Sequence, residues 1–254
     1  MKALASLLIG LFVVTSVQGA STITQWTFNS GTDSSTSTGT LTPYIGSGTA
    51  ATIGGVTSTY ATGSSSDTDP LSDGNSALNT ATFQAQSTGS GTAGVQFMVS
   101  TAGFEDIILS FDHRASGTAS RWAQVDYTLD GGTNWVTGFW NNAGGISPDS
   151  SFYNFSVDLS SIAGAGDNAL FGVRIVSIFS PNAFTENDNN SYGADAAYQR
   201  SSATTTGSGT YGTSGTWRFD LVTFSGSAAV VPEPSRMLLL SLGSFGFLMR
   251  RRRA

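Results

Sequence analysis

The single histidine of the chain, His113, is the first candidate for chemistry, because histidine is the commonest general base and metal ligand near neutral pH. One histidine cannot form a zinc site of several histidines, and no cysteine is present to complete one. A serine triad would need a serine and an aspartate from elsewhere, and no Gly-x-Ser-x-Gly sequence in a strand–turn–helix context supports it. We therefore predict that His113 packs or hydrogen-bonds beside Phe111 in a strand.

Carboxylate pairs are the second candidate, because two facing carboxyl groups roughly 5 to 10 Å apart can hydrolyse a glycosidic bond. Five acids lie on or beside predicted strands: Glu105, Asp106, Asp112, Asp126 and Asp220. Such enzymes usually use glutamates, yet between the two termini only Glu105 and Glu186 occur. A glycoside hydrolase is the least favoured alternative, and we interpret most of these acids as solvated strand or turn residues.

Calcium binding is a better explanation of the acidic loops than glycoside hydrolysis, since calcium takes several oxygen ligands. The candidate donors are Asp67, Asp69 and Asp73 in TDPLSDGN, and Asp188 in ENDNN. Neither segment has the spacing of a calcium loop such as D-x-D-x-D-G, and both also fit ordinary Asx-rich turns. We therefore assign no metal ligands and no cofactor, and leave structural calcium open.

Three arginines lie on predicted strands: Arg114, Arg174 and Arg218. Asp112 and Asp220 have the same parity as the arginine on their own strand, so that acid and base point to one side. This pattern favours a structural ion-pair cluster on one sheet face over a pocket that binds carboxylates.

Three tryptophans are candidate sugar-contact residues: Trp122, Trp135 and Trp140. In alternating sequence Trp122 shares a strand face with Gln124 and Asp126, so we expect it to face solvent, while the other two lie near a predicted hairpin. A flat aromatic ring beside polar side chains can hold a sugar by stacking and a few hydrogen bonds. The alternative is that these rings cap the edge of the core.

Short alternating strands separated by glycine-rich turns must position all of these residues. The clearest examples are Ile107 to Arg114 and Arg121 to Leu129, the second followed by an Asp130-Gly131-Gly132 turn and a hairpin partner from Asn134 to Trp140. Residues 29–75 indicate weak strands and long loops, and residues 180–215 a long excursion too polar for the core. The pattern predicts an all-β fold, an antiparallel two-sheet β-sandwich of jelly-roll type.

Charge and composition exclude several classes of protein. The chain has no cysteine, so it has no disulfides, thiol chemistry or lipidated N-terminal cysteine. Residues 20–231 hold 5 basic and 16 acidic side chains, a net charge of −11. Because nucleic-acid binding needs a clustered basic face, no nucleic-acid partner is expected.

Both ends of the chain have the composition of targeting segments. Residues 1–19 carry one lysine, Lys2, followed by an apolar run from Ala3 to Val17 and then small residues. This is typical of a secretory signal peptide cleaved after Gly19. Near the other end, Met237 to Met249 is apolar over about 20 Å as a helix, short of the ~30 Å hydrocarbon core of a bilayer. The four arginines Arg250, Arg251, Arg252 and Arg253 form a cytoplasmic stop that leaves the body of the protein outside.

The C-terminal segment resembles the PEP-CTERM sorting signal of Gram-negative bacteria. Its Val-Pro-Glu-Pro-Ser opening is matched by Val231, Pro232, Glu233, Pro234 and Ser235, and the hydrophobic run and arginine cluster follow in the family's order. The resemblance implies removal of the tail by an exosortase-type membrane transpeptidase, a transient stay in the inner membrane, and release to or attachment at the cell surface. The segments FDHRASGTASRWAQVDYTLDGGTNW, FGVRIVS and TWRFDLVTFSG also look like the jelly-roll ectodomains that precede such tails, a group without an established activity.

Four regions follow from these patterns. We predict a signal peptide at 1–19, a β-sandwich ectodomain at 20–226, a linker with the sorting motif at 227–235, and a hydrophobic sorting helix with the arginine cluster at 236–254. The expected function is that of a non-catalytic secreted, cell-surface or extracellular-matrix protein. A carbohydrate-binding module acting on exopolysaccharide is the alternative.

Overall fold

A computed structural model describes residues 19–31, 33–68, 74–140, 151–186, 189–202 and 210–229. The described residues form thirteen strands and no helix: β1 (Ser21–Trp26), β2 (Gly48–Ile53), β3 (Thr57–Thr62), β4 (Ser76–Ala81), β5 (Gly94–Val99), β6 (Phe104–Ala115), β7 (Ala123–Thr128), β8 (Val136–Trp140), β9 (Tyr153–Asp158), β10 (Gly172–Ser177), β11 (Phe184–Thr185), β12 (Ser191–Tyr192) and β13 (Trp217–Ala228). The predicted signal peptide, except for Gly19, and the sorting motif and hydrophobic helix lie outside these residues. No helix among the described residues is long and apolar enough to cross a membrane.

Two antiparallel sheets make up the domain. The six-stranded sheet has the order β3-β4-β13-β6-β9, with β1 also paired to β13, and the five-stranded sheet has the order β2-β5-β10-β7-β8. The short strands β11 and β12 form a separate ribbon. The predicted all-β antiparallel two-sheet sandwich is confirmed.

The core lies between the inner faces of the two sheets and is rich in aromatic rings. Trp26 is completely buried, with ring centroids 5.1 Å from Phe97 and 6.3 Å from Phe224, so it joins both sheets. Its indole N–H donates to the Leu41 carbonyl at 2.8 Å, which satisfies the one polar atom of the ring. The alternation seen in the sequence places one side of each central strand in this core.

The predicted β7–β8 hairpin is confirmed, with Tyr127 paired to Val136. Its turn uses Gly131 and Gly132 with φ of 75° and 88°, a left-handed backbone that glycine adopts without a Cβ clash. Asp130 closes the turn by accepting the Asn134 amide at 2.9 Å. This bond, together with hydrogen bonds from the side chains of Asn134 and Thr128, holds the pKa of Asp130 below its usual value.

Two regions of weak sequence pattern contribute more than expected. The predicted weak strands in residues 29–75 include β2 and β3, which form one edge of each sheet. No described residue of the excursion at 180–215 belongs to the core cluster between the sheets, as predicted, yet the excursion buries side chains of its own. Tyr198 and Tyr211 are buried and stack with ring centroids 4.8 Å apart.

Candidate functional site

The outer face of the five-stranded sheet carries a cross-strand row of polar side chains. Adjacent strands β5, β10 and β7 place Gln96, Arg174 and Asp126 directly opposite one another. The Arg174 Nε donates to Asp126 Oδ2 at 2.8 Å, and the Gln124 amide donates to Asp126 Oδ1. We call this area, together with Trp135 and Thr137, the Arg174 face.

Trp135 completes the Arg174 face as an aromatic platform. The Arg174 guanidinium carbon lies 4.9 Å from the centre of the Trp135 ring, so the arginine holds the ring by a cation–π contact while it binds Asp126. Asp126 is 1% exposed and Arg174 is 26% exposed, so the carboxylate is covered while the guanidinium edge reaches solvent. A half-buried aromatic ring with fixed hydrogen-bonding groups beside it is chemically suited to a polar ring such as a sugar.

The expectation that Trp122 faces solvent is wrong. Trp122 is 2% exposed, and its indole N–H donates to the Gln199 side chain at 2.8 Å. The preceding residue, Arg121, is bonded through its amide to the Gln199 carbonyl at 2.8 Å. Trp122 is buried because the excursion after β10 folds back over the start of β7. The side chain of Trp140, the third candidate, lies outside the described part of the structure.

The predicted single ion-pair cluster of Arg114, Arg174 and Arg218 is also wrong. Arg174 lies on the five-stranded sheet with Asp126, whereas the other two arginines lie on the six-stranded sheet. There the register of β6 and β13 places Arg218 opposite Arg114 and Asp220 opposite Asp112. Like charges therefore face like charges across this pair of strands. Arg218 donates instead to the Asn79 side chain at 3.2 Å and to the Thr62 carbonyl at 3.3 Å.

The acids Asp112 and Asp220 form a covered carboxyl pair. They are 3% and 0% exposed, because residues 63–68, the Ser64 strap, lie over them. Burial raises the pKa of Asp220 to about 8; hydrogen bonds from the Ser64 and Leu221 amides act in the opposite direction, and the charges of Asp67 and Asp112 raise it further. Such covered acids are not accessible to a polysaccharide substrate.

His113 packs beside Phe111 as predicted, with ring centroids 6.4 Å apart. It is completely buried among Phe155, Trp217 and Phe219, and neither ring nitrogen has a hydrogen-bond partner. Burial lowers its pKa to about 3, so the ring is neutral at physiological pH. A buried neutral ring surrounded by aromatic side chains has no route to a substrate.

One cavity of about 450 Å³ lies where the domain ends. Its wall includes Glu105, Asp106 and Asp167 together with Ala229, the last described residue before the C-terminal segment. Among the described residues no group of three acidic or histidine side chains is placed to hold a metal ion. Of the predicted calcium donors, Asp69, Asp73 and Asp188 lie outside the described residues, and Asp67 accepts a hydrogen bond from the Asn29 amide at 2.7 Å.

The C-terminal segment shows how the protein is sorted in the cell. Residues 230–253 match the family described as the PEP-CTERM protein-sorting motif. The chain carries a PEP-CTERM sorting signal. It is therefore exported across the inner membrane to the cell surface or the extracellular space, with exosortase as its processing partner.

Two solved structures show a distant likeness to this chain. The structure of endo-1,4-β-D-xylanase 10B from Clostridium thermocellum, with CBM22-1 and GH10 modules and bound xylohexaose, is 11% identical with a TM-score of 0.39. The enzymatically active domain of tailspike protein 4 from bacteriophage CBA120 is 11% identical with a TM-score of 0.37. The matches cover 73% and 71% of this chain, and 27% and 19% of those chains. No curated protein matches the sequence.

Proposed function

We propose that this PEP-CTERM protein is a non-catalytic surface or matrix protein, whose β-sandwich is delivered intact when exosortase removes the tail. The observation that carries the proposal is the position of the sorting signal relative to the fold. Strand β13 pairs with β1, β4 and β6 and ends at Ala228, two residues before the signal begins. The amide of Ala229 still donates to the Gly103 carbonyl at 2.9 Å. Cleavage after this point breaks none of these contacts.

Four of the candidate catalytic residues are covered, which supports a non-catalytic role, whereas Glu105 and Asp106 are exposed in the wall of the cavity. His113, Asp112 and Asp220 are at most 3% exposed, and Asp126 is held by Arg174. A general acid or base must come within hydrogen-bonding distance of its substrate, which these covered groups do not allow in the folded domain.

Native protein recovered from the cell surface or medium is expected to begin at Ala20 and to lack Arg250 to Arg253. Intact-mass measurement compares it with the same chain produced in a host without exosortase, which should keep the arginines. A native protein that retains Arg250 to Arg253 would contradict processing, and would indicate a tail anchor instead.

A second candidate function, carbohydrate binding, is favoured by the Arg174 face. Trp135 offers a ring fixed by Arg174, and the amide of Gln124 and the hydroxyl of Thr137 lie beside the ion pair. The net charge of −11 over residues 20–231 favours a neutral over an anionic polysaccharide, because like charges repel. Exopolysaccharide of the producing cell is the ligand we propose for this face.

The variant Trp135→Ala should reduce retention on neutral exopolysaccharide at least tenfold, because stacking on this ring supplies most of the contact area. Affinity electrophoresis through gels that contain the polysaccharide measures the retention. Tyr153→Ala is a matched control, because Tyr153 is 39% exposed on the edge strand of the other sheet. Equal retention of Trp135→Ala and the natural protein would remove this function while leaving the surface-protein proposal intact.

A further inference from the structure

The Ser64 strap closes over the carboxyl pair through the two donors of one serine. The Ser64 amide donates to Asp220 Oδ2 at 2.7 Å, and the Ser64 hydroxyl donates to Asp112 Oδ2 at 2.5 Å. One residue of the strap therefore binds an acid on each of two adjacent central strands, β13 and β6. The strap is closed only while these two carboxyl groups accept both bonds.

The closed strap leaves almost no free space around Asp220. A Cβ atom built on Gly63 would lie 2.5 Å from Asp220 Oδ2 and 1.8 Å from Asn75 Oδ1, so only glycine fits there. Asn75 Oδ1 is buried and accepts no hydrogen bond. Both acceptor oxygens thus lie beside Gly63, and of the two only Asp220 Oδ2 has a donor, the Ser64 amide. A proton on Asp220 would supply a donor next to the unpartnered Asn75 Oδ1.

The neighbouring charges that shift the pKa of Asp220, those of Asp67 and Asp112, both raise it, so the groups around the pair do not replace a proton on Asp220. Asp67 of the strap is negative and adds to the repulsion at Asp220. Arg114 and Arg218 lie one pair further along the same sheet face, and Arg218 is directed to Asn79 and Thr62. The neighbouring strands β9 and β4 offer the neutral amides of Asn154, which donates to Asp112 at 2.9 Å, and Asn79.

We propose that the Ser64 strap is a proton-dependent latch, closed while Asp220 holds a proton beside Asp112 and open when Asp220 is ionised. Two buried negative charges on facing strands repel each other and lose their hydration. Opening the strap admits water to both carboxylates, whereas the sheets themselves need not separate. Burial raises the pKa of Asp220 to about 8, so the closed strap is weakened progressively as the pH rises towards 8 and is weakest in mildly alkaline water.

Hydrogen exchange of the full-length chain in mild detergent tests the latch, because the Ser64 amide is itself one of its bonds. Protection factors, corrected for the intrinsic exchange rate at each pH, are measured for peptides that cover 57–68 and for peptides that cover β10. Between pH 7 and pH 9 the strap is expected to lose protection roughly tenfold, while β10 stays protected. A strap that remains protected at pH 9, or strap and β10 losing protection together, would overturn the latch.

Three variants separate the latch from general loosening. Asp220→Asn should abolish the pH-dependent step, because nothing then ionises under the strap. Asp112→Asn should shrink the step and move it to lower pH, because the Asp112 charge no longer raises the pKa of Asp220, and it serves if the first variant does not fold. Ser64→Ala should lower strap protection at every pH while keeping the step. A step of unchanged size in Asp220→Asn, or in Asp112→Asn, would show that the strap does not respond to this pair.

Discussion

The variant His113→Phe is expected to be more stable than the natural protein, and the difference should grow as the solution becomes acidic. His113 is completely buried with both ring nitrogens unpartnered. Phenylalanine fits among Phe111, Phe155, Trp217 and Phe219 without leaving buried nitrogen atoms unsatisfied. A gain of about 1 to 3 kcal/mol near neutral pH follows from the removed desolvation penalty.

The acid dependence of this gain follows from the pKa of His113. Burial lowers the pKa from 6.5 to about 3, so below pH 6.5 the unfolded chain binds a proton that the folded chain does not. The stabilisation by the neutral ring is complete above pH 6.5 and is lost as the pH falls towards 3, by about 1.4 kcal/mol per pH unit. At pH 4.5 the natural protein therefore loses about 3 kcal/mol that His113→Phe retains.

Urea unfolding of the full-length chain in mild detergent at pH 7.5 and pH 4.5, followed by tryptophan fluorescence, measures this difference. His113→Leu is a second variant in case the phenylalanine ring is too large, and Tyr44→Phe, at a residue that is 41% exposed, is the control expected to change nothing. If the advantage of both His113 variants is the same at the two pH values, His113 does not carry the acid sensitivity.

The strand pattern predicted the sandwich because alternation is a local property of the sequence. Ile107 to Arg114 and Arg121 to Leu129 alternate clearly, and both became strands of the two sheets. The edge strand β3 was harder to recognise, because an edge strand exposes much of its surface and Thr57 to Thr62 carries little apolar signal. Burial of Tyr198 and Tyr211 depends on a fold-back across many residues, which no local pattern shows.

The candidate sites failed where they depended on register and on distant segments. Parity correctly placed Asp112 with Arg114 on one face, but only the pairing of β6 with β13 sets acid opposite acid. Trp122 is covered by a segment 77 positions later, and the Ser64 strap reaches an aspartate 156 positions later. Such contacts are decided by tertiary packing, so a single sequence identifies the residues but does not show that they are in contact.

Between about pH 4 and pH 6.5 the stability of the natural protein is expected to change little, because two buried groups of opposite effect cancel there. Asp220 has its pKa raised from 3.8 to about 8, so its stabilising effect is complete below pH 3.8 and is lost as the pH rises through 8. His113 acts in the opposite direction from pH 6.5 down to 3. Each contributes about 1.4 kcal/mol per pH unit, with opposite sign, where the two ranges overlap.

Single substitutions should uncover the two slopes that the natural protein hides. In His113→Phe only Asp220 remains, so stability should fall steadily from pH 4 to pH 8. In Asp220→Asn only His113 remains, so stability should rise from pH 3.5 to pH 6.5 and then stay level. The exposed acids Asp33, Asp130 and Asp158 have lowered pKa values and therefore act only below pH 3.8, outside the window.

Urea unfolding at half-unit intervals from pH 3.5 to pH 8.5 measures all three profiles, and the double variant should be level across the window. A sloping profile for the natural protein between pH 4 and pH 6.5 would show that the two effects do not cancel. A level profile for His113→Phe over the same range would show that Asp220 ionises freely in the folded chain. The latch would then lose its driving force, because a carboxyl pair that carries both charges without cost gives the Ser64 strap no reason to open.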